Sequence, residues 1–212
     1  MRRIFVRNGC LVFELSGAKV RVYDYKADNR AVEAFSFQPS GTKPSLGVLL
    51  IPGYQRTDVN LIPLGVRLAE EGFAAVAVTQ PGFGKSQGPA DFVGPKTLNV
   101  LTTACRKLQQ ESFVDPKRMG IYGHSRGGMA ASLLVLDLDD AKAAVLGAGV
   151  YDFKKAYDDT TLPGVRVNLR AETGMTRAAI RERSSILRME VLKCPVLILH
   201  GEKDVNVPVS QA

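Results

Sequence analysis

Residues 118–130 read RMGIYGHSRGGMA. A short run of strand character, 118–124, passes directly into a helical stretch, 126–138, and Ser125 stands at the joint. Gly123 and Gly127 flank it two residues to either side, giving the pattern G-x-S-x-G. A strand that turns this sharply into a helix brings its own backbone so close that those two flanking residues must be small. Gly128 adds room for the helix to pack against the strand. A residue at such a corner projects its side chain from the carboxyl edge of the sheet, where the first amides of the helix offer positive dipole density. Serine at that point is a candidate nucleophile. Its hydroxyl is weak at neutral pH and needs a base beside it, and the chain has only two histidines, His124 and His200.

Outward from this joint the chain alternates strands and helices. Upstream, Gly47–Ile51 is a continuous apolar run, which reads as a strand buried on both faces. The stretch 58–71 reads as helix and 74–80 as strand. Residues 96–111 form an amphipathic helix with Leu98, Leu101, Cys105 and Leu108 on one side. Downstream, 142–150 and 194–200 are further strands. The first forty residues alternate in strand fashion as CLVFEL, KVRVYDY and AVEAFSF. The expected fold is therefore α/β, a mostly parallel central sheet covered by helices on both faces, with antiparallel strands at the N-terminus. More than forty residues separate the strands ending at Val150 and starting at Cys194, far more than an ordinary connection. A cap insertion over about 153–190 is expected there, with Thr176 capping a helix near 177–183 and a helical turn near 185–190.

Composition narrows the function classes. At 212 residues with 45% apolar and 23% charged residues, the chain reads as one domain, 1–212, with a large core. The net charge is +7 and the pI about 9.4, but no block of like charge, zinc-finger spacing or basic–aromatic interleaving accompanies it. Nucleic-acid and membrane partners are accordingly not expected. Cys10, Cys105 and Cys194 are widely spaced, with no C-x-x-C, so neither a metal site nor a disulfide framework is read. A cytoplasmic setting is expected from the absence of a secretory pattern. The G-K-S of Gly84-Lys85-Ser86 lacks the leading glycine of a phosphate loop, because Thr79 occupies that position.

Four segments together, LLIPGYQ (49–55), TQPGFGKSQG (79–88), VDPKRMGIYGHSRGG (114–128) and KCPVLILHGEKDVNVPVSQA (193–212), resemble the α/β-hydrolase family, in its prolyl-oligopeptidase-like and dienelactone-hydrolase-like branch. The resemblance runs from about residue 20 to the end. It implies a three-layer fold and a serine hydrolase that cleaves carboxylic esters or small amides through an acyl-enzyme, without metal or cofactor. It also implies an oxyanion hole from the backbone amides of Arg126 and Tyr54, with Pro52-Gly53 leading into the second, where the family more often has His-Gly-Gly. The Tyr54 phenol has two further readings, as a donor to substrate or as packing. The triad acid becomes Asp204, which would fix the tautomer of a catalytic histidine, with Asp152 in reserve. The family's chain order is Ser, acid, His, and that histidine would follow Asp204 by a helix and a strand. Neither His124 nor His200 matches it. The expectation is a truncated sequence of a longer hydrolase, the alternative being a partner chain that lends the histidine. An unpaired sheet edge at 194–200, open to self-association, goes with it. A non-catalytic binding protein of the same fold, or an acyltransferase using the same site, are the competing functions.

Overall fold

In the computed structural model, backbone is described for residues 4–7, 10–15 and 17–212, and side chains for 12–15 and 17–212. The side chain of Cys10 thus lies outside the described residues. The N-terminal part forms β1 (Ile4–Arg7), β2 (Cys10–Leu15), β3 (Ala18–Val22), β4 (Tyr25–Ala27), β5 (Arg30–Val32) and β6 (Ala34–Gln38). The chain then alternates through β7 (Ser45–Ile51), α1 (Ile62–Glu70), β8 (Ala74–Val78), α2 (Pro95–Gln109), β9 (Val114–His124), α3 (Arg126–Asp137) and β10 (Ala141–Gly147). Three helices, α4 (Phe153–Asp159), α5 (Pro163–Thr173) and α6 (Arg177–Arg183), and a 3-10 segment, Ser185–Val191, precede the last strand, β11 (Val196–Leu199).

The main sheet has the order β1-β2-β3-β6-β8-β7-β9-β10-β11 among the described residues, and β4 and β5 pair as a separate ribbon. Pairing is antiparallel from β1 to β8 and parallel from β8 to β11. The two-residue period of each central strand feeds two cores. Leu49 and Ile51 of β7, with Val76 and Val78 of β8, pack with Leu101, Leu108, Met129 and Leu133 of α2 and α3. Val48 and Leu50, with Ala75 and Ala77, pack on the opposite face beneath α1 and beside Phe37. Both faces are therefore covered, which is why these strands read as unbroken apolar runs rather than alternating ones.

Three sequence expectations shift in detail. KVRVYDY is two strands, because the chain leaves the main sheet after Val22 and enters the β4–β5 ribbon. Strand β9 begins at Val114 rather than 118. Its register against β7 jumps between Leu46 and Gly47, across the turn in which Lys117 N donates to Asp115 Oδ1. The insertion contains α4 and α5 in addition to the helix capped by Thr176, whose Oγ1 accepts from Ala179 N. At the far edge β11 pairs with β10 alone among the described residues, and Leu197 and Leu199 are 54% and 50% exposed.

Topology fixes where a site forms. From β7 the chain crosses through α1 on one face to β8, and from β9 it crosses through α3 on the other face to β10. Adjacent strands whose connections depart to opposite sides leave a crevice at their carboxyl ends. Ile51 is level with Gly123, His124 with Gly147, and Gly147 with Leu199. The segments 52–54, 125–126, 148–152 and 200–208 all emerge from that one edge.

Candidate active site

Ser125 has φ 55° and ψ −121°, a left-handed conformation that a residue with a Cβ adopts only under constraint. The constraint is visible in the backbone. Ser125 N donates to Gly147 O at 2.7 Å, and its own carbonyl accepts from Met129 N to open α3. A Cβ at Gly123 would lie 2.0 Å from the Gly127 carbonyl oxygen, and one at Gly127 would lie 2.1 Å from the Ile51 carbonyl oxygen. Both neighbours are main chain and cannot step aside, so the two glycines are a steric condition of the corner. The strand-to-helix joint read from the sequence is thus present with the expected close approaches.

The loop after β7 lies against this corner. A Cβ built on Gly53 would be 3.4 Å from Ser125 Cβ. Buried Gln80, just beyond β8, donates from Nε2 to Pro52 O at 2.8 Å and so fixes the loop's path. Sequence reasoning missed Gln80; the signal available was an amide immediately after a wholly apolar strand. The amide of Arg126 is the first of α3 and so has no acceptor within its own helix. The Tyr54 phenol packs edge-on against Phe83 and accepts a hydrogen bond from Asn168 Nδ2 of α5 at 2.6 Å.

Ser125, Arg126 and Tyr54 line a cavity of about 280 Å³. Phe92, Met129 and Val150 line it as well, with Phe153 and Ala156 of α4, Leu162 just before α5, and Val165, Asn168 and Leu169 of α5. The insertion between β10 and β11 thus contributes to the lining of this cavity. Residues 206–208, from the loop that follows β11, close one side. The guanidinium of Arg126 lies inside this wall, 4.7 Å from the ring centre of Phe83, 5.1 Å from Phe92 and 5.9 Å from Tyr54. Burial lowers its pKa, while nearby Glu172 and Asp91 act to raise it.

Asp204 stands four residues past His200 in the loop lining that side. Its Oδ1 accepts from Asn206 N at 2.8 Å and Val207 N at 3.0 Å, whereas Oδ2 has no hydrogen bond among the described residues. These amides, with weaker help from His200 and His124, hold the carboxyl below its ordinary pKa. His200 Nε2 contacts Val207 O at 2.8 Å and lies 4.0 Å from Asp204 Oδ2. That ring nitrogen is committed to the loop backbone. Asp152, the reserve acid, instead caps α4 by accepting from Lys155 N. The Gly82–Ser86 segment is a turn in which Ser86 Oγ donates to Thr79 O and Lys85 N to Glu33.

Residues 93–212 match the profile of the prolyl oligopeptidase family. The uncharacterized peptidase YtmA of Bacillus subtilis is 27% identical over 202 residues, covering 91% of this chain and 77% of that protein. The acetyl xylan esterase of Paenibacillus sp. R4 superposes with a TM-score of 0.78 at 18% identity, covering 99% of this chain and 76% of the esterase. The acylaminoacyl peptidase of Pyrococcus horikoshii gives 0.79 at 16% identity, covering 97% of this chain and 38% of the peptidase. These likenesses carry the α/β-hydrolase fold, and the profile match covers more than half of the sequence. The chain belongs to the prolyl oligopeptidase family of serine hydrolases.

Proposed function

We propose that this chain carries the nucleophile, oxyanion hole and acid of an enzyme that cleaves carboxylic esters or small amides. Ser125 Oγ attacks the substrate carbonyl as a histidine takes its proton. The amides of Arg126 and Tyr54 hold the resulting oxyanion. The leaving alcohol or amine departs with that proton, and water then releases the acid from the acyl-serine. Asp204 orients the histidine through Oδ2, the oxygen left free by the loop amides. The base is neither of the two histidines of residues 1–212. His200 is tied to Val207 O through Nε2, and His124 precedes the nucleophile instead of following the acid, against the family's chain order. The observation that carries this reading is the left-handed Ser125 at the mouth of an apolar cavity, a conformation costing about 1–3 kcal/mol that structure alone does not require of a serine.

The small, largely apolar cavity lined by α4 and α5 favours a small acyl group over a polypeptide. The test is intact-mass spectrometry after exposure to a fluorophosphonate, on residues 1–212 and on the natural chain in full. One adduct on the natural chain, lost in Ser125→Ala, is expected, with none on residues 1–212. An adduct that survives Ser125→Ala would remove Ser125 from the mechanism. Labelling of residues 1–212 would return the base to His124 or His200. A natural chain that takes no adduct but binds ligand in the cavity would favour the non-catalytic reading, whose support is the committed His200.

A further inference from the structure

Arg126 poses a problem that the backbone role of its amide does not answer. Its side chain is 2% exposed, and Nε, Nη1 and Nη2 have no hydrogen-bond acceptor among the described residues. The nearest carboxylate oxygen, Glu172 Oε2, is 3.8 Å from Nη1 and is already bonded to Phe92 N at 2.8 Å. Buried Arg183 nearby makes the contrast: it donates to Asp91 O, Phe92 O and Ala179 O. A buried guanidinium with five unanswered N–H groups is costly, and three aromatic faces repay only part of that cost. The residue lines the same cavity as Ser125.

Charge around the cavity decides what the missing acceptor is. Arg126 and Arg183 face Glu172 and Asp91, two cations against two anions. The charge is balanced; what Arg126 lacks is acceptor atoms. An anionic substrate group would come up against Glu172, whereas a neutral carbonyl oxygen would not. Resting on the catalytic reading above, we infer that Arg126 is a specificity-determining residue, its guanidinium receiving a second, neutral carbonyl carried on the acyl portion of the substrate. The acyl groups so selected are keto-acyl chains short enough to fit the cavity.

Three p-nitrophenyl esters of matched shape test this on the natural chain in full: the 4-oxopentanoate, the 4-methylpentanoate, in which a methyl replaces the carbonyl oxygen, and the hemisuccinate. In the native protein kcat/KM for the 4-oxopentanoate should exceed that for the 4-methylpentanoate by roughly ten- to hundredfold, the range of a hydrogen bond to a charged group. Arg126→Met should bring that ratio to about one, whatever it does to both rates, because the ratio cancels effects on the neighbouring amide. Arg126→Lys should recover part of it. Arg126→Met should also keep or raise the unfolding temperature, since it removes a buried charge that makes no hydrogen bond. An unchanged ratio in Arg126→Met would overturn the assignment, as would a preference for the hemisuccinate or a fall in stability that marks Arg126 as a structural anchor. The same comparison by calorimetry, with the two p-nitroanilides and Ser125→Ala protein against Ser125→Ala/Arg126→Met, reads binding without turnover. Binding by Ser125→Ala protein that shows no preference for the keto compound, with fluorophosphonate labelling of the Ser125 protein intact, would refute this inference alone. Selective binding by a natural chain that never labels would refute the catalytic reading instead.

Discussion

At the residue scale the corner around Ser125 is over-determined by its glycines. Gly123 and Gly127 do not supply unusual torsions; they supply absence of volume, since a methyl at either would meet main-chain oxygen at 2.0 Å or 2.1 Å. Gly127→Ala would have to push Ile51 O and Pro52 O away, and with them the loop that presents Tyr54. A loss of about 3 kcal/mol or more in urea unfolding is expected, with fluorophosphonate labelling lost even at temperatures where the variant stays folded. Unchanged stability would mean the corner relaxes and the packing argument fails. This geometry was legible in the sequence because the constraint is local: strand, serine, two glycines and helix lie within a dozen residues. Gln80 and the side chain of Arg126 were not legible in this way. Their roles depend on which segments the fold brings together, Pro52 O for the first and three rings from two loops for the second, and no spacing along the chain encodes that.

At the scale of elements, the helices over the cavity were the least readable part. Strands β7 and β8 are buried on both faces and announce themselves as apolar runs, but α5, PGVRVNLRAET, fully buries only Leu169. Its inward side meets a cavity rather than a packed core, so its apolar stripe is thin and periodicity is faint. Polar side chains hold the lid instead. Arg183, at the end of α6, donates to the carbonyls of Asp91 and Phe92, and Glu172 of α5 accepts from Phe92 N. The loop so gripped has φ 41° at Phe92 and 59° at Val93, left-handed values for residues that do not favour them. Arg183→Met would leave two buried carbonyls without donors, a cost of about 3 kcal/mol. Hydrogen exchange should then rise across 153–191 and at 91–94 well before it rises in β7–β10. Uniform acceleration over the whole sheet would show that the lid is not a separable unit.

At the scale of the molecule, stability should carry a pH signature from a carboxyl remote from the cavity chemistry. Asp58 follows β7 on the way to α1 and is fully buried. Its Oδ1 accepts from Thr79 Oγ1 and Val59 N, both at 2.9 Å, while Oδ2 has no partner among the described residues. Burial drives its pKa up to about 6, reinforced by the charges of Glu33 and Asp24 and opposed by the Thr79 and Val59 bonds. The folded chain therefore holds this proton through a range, roughly pH 4 to 6, in which the unfolded chain has released it. Stability attributable to Asp58 falls as pH rises through that range, by up to about 3 kcal/mol, and levels off above it. Asp204 acts with the opposite sign, its depressed pKa giving stability that is lost only as pH falls. Raw stability profiles mix the two, but the difference between the native chain and Asp58→Asn cancels every group except Asp58. The urea midpoint of Asp58→Asn should match or trail the native one at pH 4, overtake it between pH 4 and 6, and hold a constant lead at pH 7 to 8. A lead that does not change with pH would mean Asp58 is already ionised in the folded state at pH 4. The unpartnered Oδ2 would then need a donor outside the described residues.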